Sequence, residues 1–180
     1  MKNLLLLMAT SLFGLSVSAQ TVTIVIPDSD YVSHRAERVQ ARDARNAADV
    51  KMMDSVVMSK GFVFTPDQFQ QMPAGVPHMI YNPNFKLTIK PSYVDIDLPY
   101  IQNNDGFAPI VTTLNAIMPQ VSQYSAVQTK DGWTVTFKTD AMTEYTFTLT
   151  ITSITQEGVL TIETDQFNPV TYQGTVTKLY

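Results

Sequence analysis

In the stretch TFTLTIT, Thr146 to Thr152, every second residue is threonine, and the three between them are Phe147, Leu149 and Ile151. Strand side chains alternate between faces with period two, whereas a helix would scatter these residues around its surface. The stretch predicts a strand with one apolar face and one hydroxyl face. GWTVTFKTD repeats the pattern, with Trp133, Val135 and Phe137 opposed to Thr134 and Thr136; GVLTIETD and PVTYQGTVT alternate as well. Earlier, NFKLTIKP and SYVDIDLP form two more such strands, joined tightly around Pro91 and Ser92. Strands of this kind build an antiparallel sheet with one buried face, its other face in water or under a partner. Asp131-Gly132 predicts a two-residue hairpin, because both positions tolerate positive φ. Trp133, Phe137, Phe147, Leu149, Leu160 and Ile162 are the expected core.

Ahead of the strands lies a different periodicity. Val32, Ala36, Val39, Ala47, Val50, Met53 and Val57 recur at helical spacing, which predicts one long helix over about 28–60. Ser29 or Asp30 can cap its start, where carboxylates suit the positive end of the helix dipole, and Gly61 is a fitting stop. Asp43 and Asn46 interrupt the stripe, so the second half of the helix should dock and the first half should be only partly buried. From Phe62 to Pro83 the chain opens with FVF and then meets Pro66, Pro73, Pro77 and Pro83, which predicts irregular structure and argues against a central strand. Pro109 suits a first helical position, and Ile110, Val111, Leu114, Ile117 and Met118 predict a short helix or turn over Ala108–Met118 that covers one end of the sheet. The fold class is therefore α+β: one N-terminal helix packed on a single antiparallel sheet of about six to eight strands, with the β-rich part at about 61–180.

Residues 1–19 read as an address. Lys2 is followed by an apolar run, Leu4 to Val17, and small residues at Val17 and Ala19 complete a secretory signal peptide with cleavage before Gln20. The run is shorter than the roughly twenty residues a spanning helix needs, and no cysteine follows it to carry a lipid anchor. Residues 20–180 are then one domain, periplasmic or extracellular, with no membrane span. There is no cysteine anywhere, so packing and hydrogen bonds must hold the domain without disulfides. Residues 20–180, without Lys2, carry eleven cations against sixteen carboxylates and no lysine-rich run, which argues against nucleic acid as a partner.

Several of these segments carry a resemblance. FVF, then MP, then NFKLTI and VDIDLPY, a W-x-V-x-F strand and a closing Pro169…Tyr172-Gln173-Gly174 are similar to the secreted Bacteroidetes family catalogued as domain of unknown function 4251. The likeness runs from about Asp49 to the C-terminus, and its most specific marks are Leu98-Pro99-Tyr100 and Tyr172-Gln173-Gly174. The chain departs from the family where Ile101-Gln102-Asn103 stand in place of a usual Phe-Gly-Arg. The resemblance implies export and this fold; it brings no activity.

The chemical inventory excludes much. There is no thiol nucleophile, no Gly-x-Ser-x-Gly elbow and no glycine-rich phosphate loop. The two histidines, His34 and His78, lack neighbours at metal-ligand spacing, and QNNDGF (Gln102–Phe107) has the donors of a turn without the glutamate of a calcium loop. No catalytic residue, metal or cofactor is expected. Binding candidates are the line Arg35, Arg38, Arg42 and Arg45 on the helix, which could meet an anionic partner, and Met72, His78 and Tyr81 in the proline-rich segment. The leading expectation is an exported non-catalytic binding or scaffolding protein with an envelope protein or glycan as partner. The alternative is a carboxylate-based polysaccharide hydrolase using Asp95 and Asp97, with Glu144 or Glu163 as partner. Against it, Val94, Ile96 and Leu98 alternate with the two aspartates, which places both carboxylates on the wet face of a strand that Pro99 ends.

Overall fold

The structure is a computed structural model and describes residues 29–102, 110–118, 122–138 and 144–179. The expected signal peptide and most of the QNNDGF turn lie outside them. The chain divides into two units, Met1–Glu37 and Arg38–Tyr180. In the first, residues 33–37 are exposed, and His34 Nδ1 stands 3.5 Å from Glu37 Oε2 one helical turn on. The second unit carries the sheet.

Helix α1 spans Ser29–Met58. Within the second unit it buries only its end, where Met53, Val56 and Val57 are shielded from solvent. Each such side chain is worth about 2 kcal/mol of burial. The expected partial burial of the first half does not occur: residues 38–45 are all exposed, Val39 included. Small residues interrupted by Asp43 offer too little apolar area to dock. The stop also falls one residue early. Lys60, at φ 53°, takes the left-handed position, while Gly61 donates its N–H to the Val56 carbonyl at 3.3 Å. Lys60 tolerates this conformation with its ammonium 4.4 Å from the centre of the Tyr124 ring.

Among the described residues ten strands follow: β1 Phe62–Gln71, β2 His78–Met79, β3 Lys86–Ile89, β4 Val94–Gln102, β5 Ile110–Met118, β6 Ser122–Gln128, β7 Gly132–Lys138, β8 Thr146–Thr152, β9 Glu157–Glu163 and β10 Val170–Lys178. Every pairing is antiparallel, in the order β5-β4-β3-β1-β10-β9-β8-β7-β6, with the short β2 on β1. The fold is α+β with more strands than the six to eight expected. The alternation works as read: Trp133, Phe137, Phe147, Leu149, Leu160 and Ile162 are all buried, while Thr134, Thr136, Thr148 and Thr150 lie on the other face.

Four local expectations are corrected. The first half of the segment after Phe62 is not irregular, since β1 sits between β3 and β10, whereas residues 72–77 and 80–85 are turn and loop as expected. Pro66 is accommodated because β3 pairs only as far as Phe64 and β2 begins at Gln68, so nothing on that side needs its missing N–H. The register with β10 also shifts between Pro66 and Gln68. Opposite stands Gly174, whose added Cβ would fall 2.1 Å from the Thr65 carbonyl oxygen.

Second, residues 110–118 form strand β5 and not a helix; Ile110, Val111 and Ile117 are exposed and Leu114 is half-buried. The β-branched Ile110, Val111, Thr112, Thr113 and Ile117 favour the pleated backbone once β4 offers a full-length ladder.

Third, Pro99 does not end β4, which pairs with β5 through Gln102. The two backbone groups of a strand residue point to the same side. Tyr93 and Pro99 turn theirs away from β5: the Tyr93 carbonyl accepts from Lys90 N, and the Pro99 carbonyl accepts from the Tyr172 hydroxyl at 2.7 Å. The even-numbered residues of β4 therefore carry the β5 ladder, and the absent Pro99 N–H costs it nothing.

Fourth, the hairpin between β6 and β7 is centred earlier than Asp131-Gly132. Thr129 N–H donates to the Gly132 carbonyl at 2.8 Å, and Gly132 itself starts β7, where a Cβ would lie 1.9 Å from the Ile151 carbonyl oxygen.

The sheet of the second unit curls strongly. Tyr100 on β4 and Tyr145, just before β8, meet edge to face with ring centres 6.1 Å apart. Five strand-to-strand steps separate β4 from β8, about 24 Å in a flat sheet. The concave side holds the core, with Phe137 stacked on Phe147 at 4.8 Å and Phe69 on Tyr172 at 5.9 Å. The helix end is tied to it by Trp133 Nε1, which donates to Asp54 Oδ1 at 2.8 Å, and by the Tyr124 hydroxyl, which donates to the Val57 carbonyl at 3.3 Å. Tyr100 is fully buried, yet its hydroxyl has no hydrogen-bond partner among the described residues.

Candidate functional site

Pairing of β1 with β10 sets Gln68 opposite Gln173 and Gln70 opposite Thr171 on the convex face. Beside them the chain leaves β1 through Met72, whose N–H donates to the Pro169 carbonyl at 2.7 Å, and returns past Pro77. A depression of about 270 Å³ results, lined by Gln68, Phe69, Gln70, Met72, Pro77, Thr171 and Gln173. Its polar groups are held in place: Gln68 Nε2 donates to Gln173 Oε1, and Gln70 Nε2 donates to the Gly75 carbonyl at 2.8 Å. None of the lining residues is ionisable. Such a surface offers amide and hydroxyl donors and acceptors beside a methionine and a proline, which suits a neutral ligand rich in hydroxyl groups.

Of the residues singled out from the sequence, Met72 lines this depression. His78 is half-buried on β2, its ring 5.2 Å from that of Phe69. Tyr81 stands 89% exposed outside the lining. Arg35, Arg38, Arg42 and Arg45 are all exposed on α1, Arg35 in the first unit and the others in the second; Arg42 lies 3.7 Å from Asp43. Gln68, Gln70, Thr171 and Gln173 were not singled out. Their only early signal was Gln173 within the closing Tyr-Gln-Gly, because the cluster exists only once β1 and β10 pair.

The carboxylates separate into two places. Asp95 and Asp97 are half-buried on β4, in register with Thr88 and Lys86 of β3. Glu144 and Glu163 instead share a second, polar depression of about 380 Å³ with Lys138, Thr146, Thr164, Asp165 and Pro169. There Lys138 Nζ is bonded to Glu144 Oε1, and that bond, with the charge of the same carboxylate, raises the lysine above its ordinary range. Among the described residues no three His, Asp or Glu side chains converge to hold a metal. No described helix is long and apolar enough to cross a membrane.

Comparison with known proteins bears on the family and the fold. The family described as domain of unknown function (DUF4251) matches residues 44–176. Among solved structures, a DUF4251 family protein from Bacteroides eggerthii DSM 20697 is similar, with a TM-score of 0.56 at 17% identity; the match covers 74% of this chain and 91% of that one. At that identity the likeness concerns the fold. No curated protein matches the chain.

Proposed function

Because the chain belongs to the DUF4251 family, whose description records no activity, its function must be argued from its surface, and we propose that it is an exported, non-catalytic binding protein for a neutral glycan. The observation that carries this reading is the depression between β1 and β10, where glutamine and threonine side chains converge with no ionisable group among them. Export rests on the Lys2, Leu4–Val17 and Ala19 pattern; N-terminal sequencing of the protein from its own cell should find Gln20 first. A neutral oligosaccharide would bind by hydrogen bonds to the Gln68–Gln173 pair, with Met72 and Pro77 against its carbon faces. Labelled protein screened on a glycan array, followed by calorimetry, tests this. Thr171→Val with Gln173→Ala should weaken the best glycan at least tenfold. No binding, or binding untouched by these changes, would refute it.

A second reading has one observation in its favour: Glu144 and Glu163 line one polar depression. A hydrolase of glycosides needs one carboxyl kept protonated and one ionised. Glu144 is bonded to Lys138, and Glu163 and Asp165 are the other carboxyls that line the same depression. Hydrolysis of a polysaccharide that is lost in Glu163→Gln would move this reading to first place.

A further inference from the structure

The two edges of the sheet differ. At one end β6 is interrupted: its register with β7 slips between Ser122 and Ser125, and Gln123 takes φ 53°. Bulges of this kind blunt an edge against pairing with another chain. At the other end β5 pairs with β4 residue for residue over its whole length, with no slip. Its sequence, IVTTLNAIM, holds no charge and no proline, so the devices that usually protect an exposed edge are missing. No described strand covers its outer side.

The direction of its free groups follows from β4. Since the even-numbered residues of β4 bond to β5, their partners Thr112, Leu114 and Ala116 are the ones that bond back. Val111, Thr113, Asn115 and Ile117 thus turn N–H and C=O outward. We propose that this edge pairs antiparallel with β5 of a second copy of the chain, about a two-fold axis beside Leu114. That register sets Leu114 opposite Leu114 of the second copy. Val111 then faces Ile117 and Thr113 faces Asn115, so that exposed apolar residues meet apolar ones and polar meet polar. The outward-turned residues fall opposite one another as hydrogen-bonded pairs, each exchanging two backbone bonds. Leu114 falls at a non-bonded pair, where side chains approach most closely. An edge without charge meets no repulsion from its own copy. Val111 and Ile117, 54% and 70% exposed, would be covered in the pairing. The symmetry is isologous and closes at two subunits.

Sedimentation velocity on the full mature chain tests this, with far-UV circular dichroism as a check on folding. The chain should run as a dimer at micromolar concentration. Asn115→Pro removes an outward N–H that β4 does not use, and should raise the dissociation constant at least tenfold while the spectrum is retained. Should that variant fail to fold, Val111→Lys with Ile117→Lys gives the same reading through charge alone. Because the chain has no cysteine, Leu114→Cys should oxidise to a disulfide-linked dimer. A chain that stays monomeric, or a dimer indifferent to the folded edge variants and not captured by Leu114→Cys, would overturn the proposal.

Discussion

Tyr100 and Tyr172 offer the same chemical change in one core with opposite expected signs. Both rings are fully buried. The Tyr172 hydroxyl donates to the Pro99 carbonyl at 2.7 Å, whereas the Tyr100 hydroxyl has no partner among the described residues. A buried polar group without a partner costs about 1–3 kcal/mol, and a satisfied bond contributes about 1 kcal/mol net. Tyr100→Phe removes an unpaid desolvation, so stability should stay level or rise by about 1 kcal/mol. Tyr172→Phe removes a donor and strands the buried Pro99 carbonyl, so it should cost about 1–3 kcal/mol. For a domain of this size, 1 kcal/mol moves the melting temperature by roughly 2–4 °C. Urea titrations of the two variants beside the parent protein resolve such differences. Truncation to Tyr100→Ala, which also deletes the ring, should cost about 3–5 kcal/mol. If Tyr100→Phe destabilised as much as Tyr172→Phe, the claim that its hydroxyl is an uncompensated burden would be refuted.

Alkaline solution probes the same groups. Burial, with the neighbouring Tyr145 adding to it, pushes the Tyr100 phenol up to about 12, and burial takes Tyr124 to about 12 as well. Folded pKa values above the unfolded value near 10 mean that the native state keeps protons the unfolded chain has released. Stability is therefore intact below pH 10 and should fall by about 1.4 kcal/mol per pH unit for each such tyrosine from pH 10 to 12, read as urea midpoints at pH 9 and 11.5. Trp133→Phe loses the bond to Asp54 that ties the helix end to the sheet, and should cost about 1–3 kcal/mol in the same titration. Gly174→Ala, which drives a Cβ against the Thr65 carbonyl, should cost about 3 kcal/mol. Gly61→Ala, whose nearest new neighbour is the Ser59 hydroxyl at 3.4 Å, serves as its mild control by thermal denaturation.

What was legible in the sequence was whatever a short window determines. The threonine alternation placed β7 and β8 and their core residues because period two needs only seven residues to declare itself. Pro66, Pro99 and residues 110–118 misled for one shared reason. Whether a proline interrupts a ladder depends on which side its nitrogen faces and whether a neighbour is there, and both are facts about other strands. Residues 110–118 fit helix and strand alike in isolation, and β4 decided between them. The depression was hidden for the same cause: Gln68 and Gln173 stand 105 positions apart and meet only through β1 and β10.

The pairing of β1 with β10 has a consequence in time. Strands β3 to β5 and strands β6 to β9 are joined in one sheet only through this seam between the first strand and the last. During synthesis β1 leaves the ribosome before β2 to β9 and waits, its β10 side open, until β10 has followed them. Closing so long a loop is slow, and the sheet cannot be completed piece by piece from the N-terminus. A nascent chain of this design cannot complete its sheet until β10 has emerged, and until then the β10 side of β1 is open to any chaperone that recognises an extended apolar segment. Clipping the chain within β10 would not fray an end; it would divide the sheet through its middle.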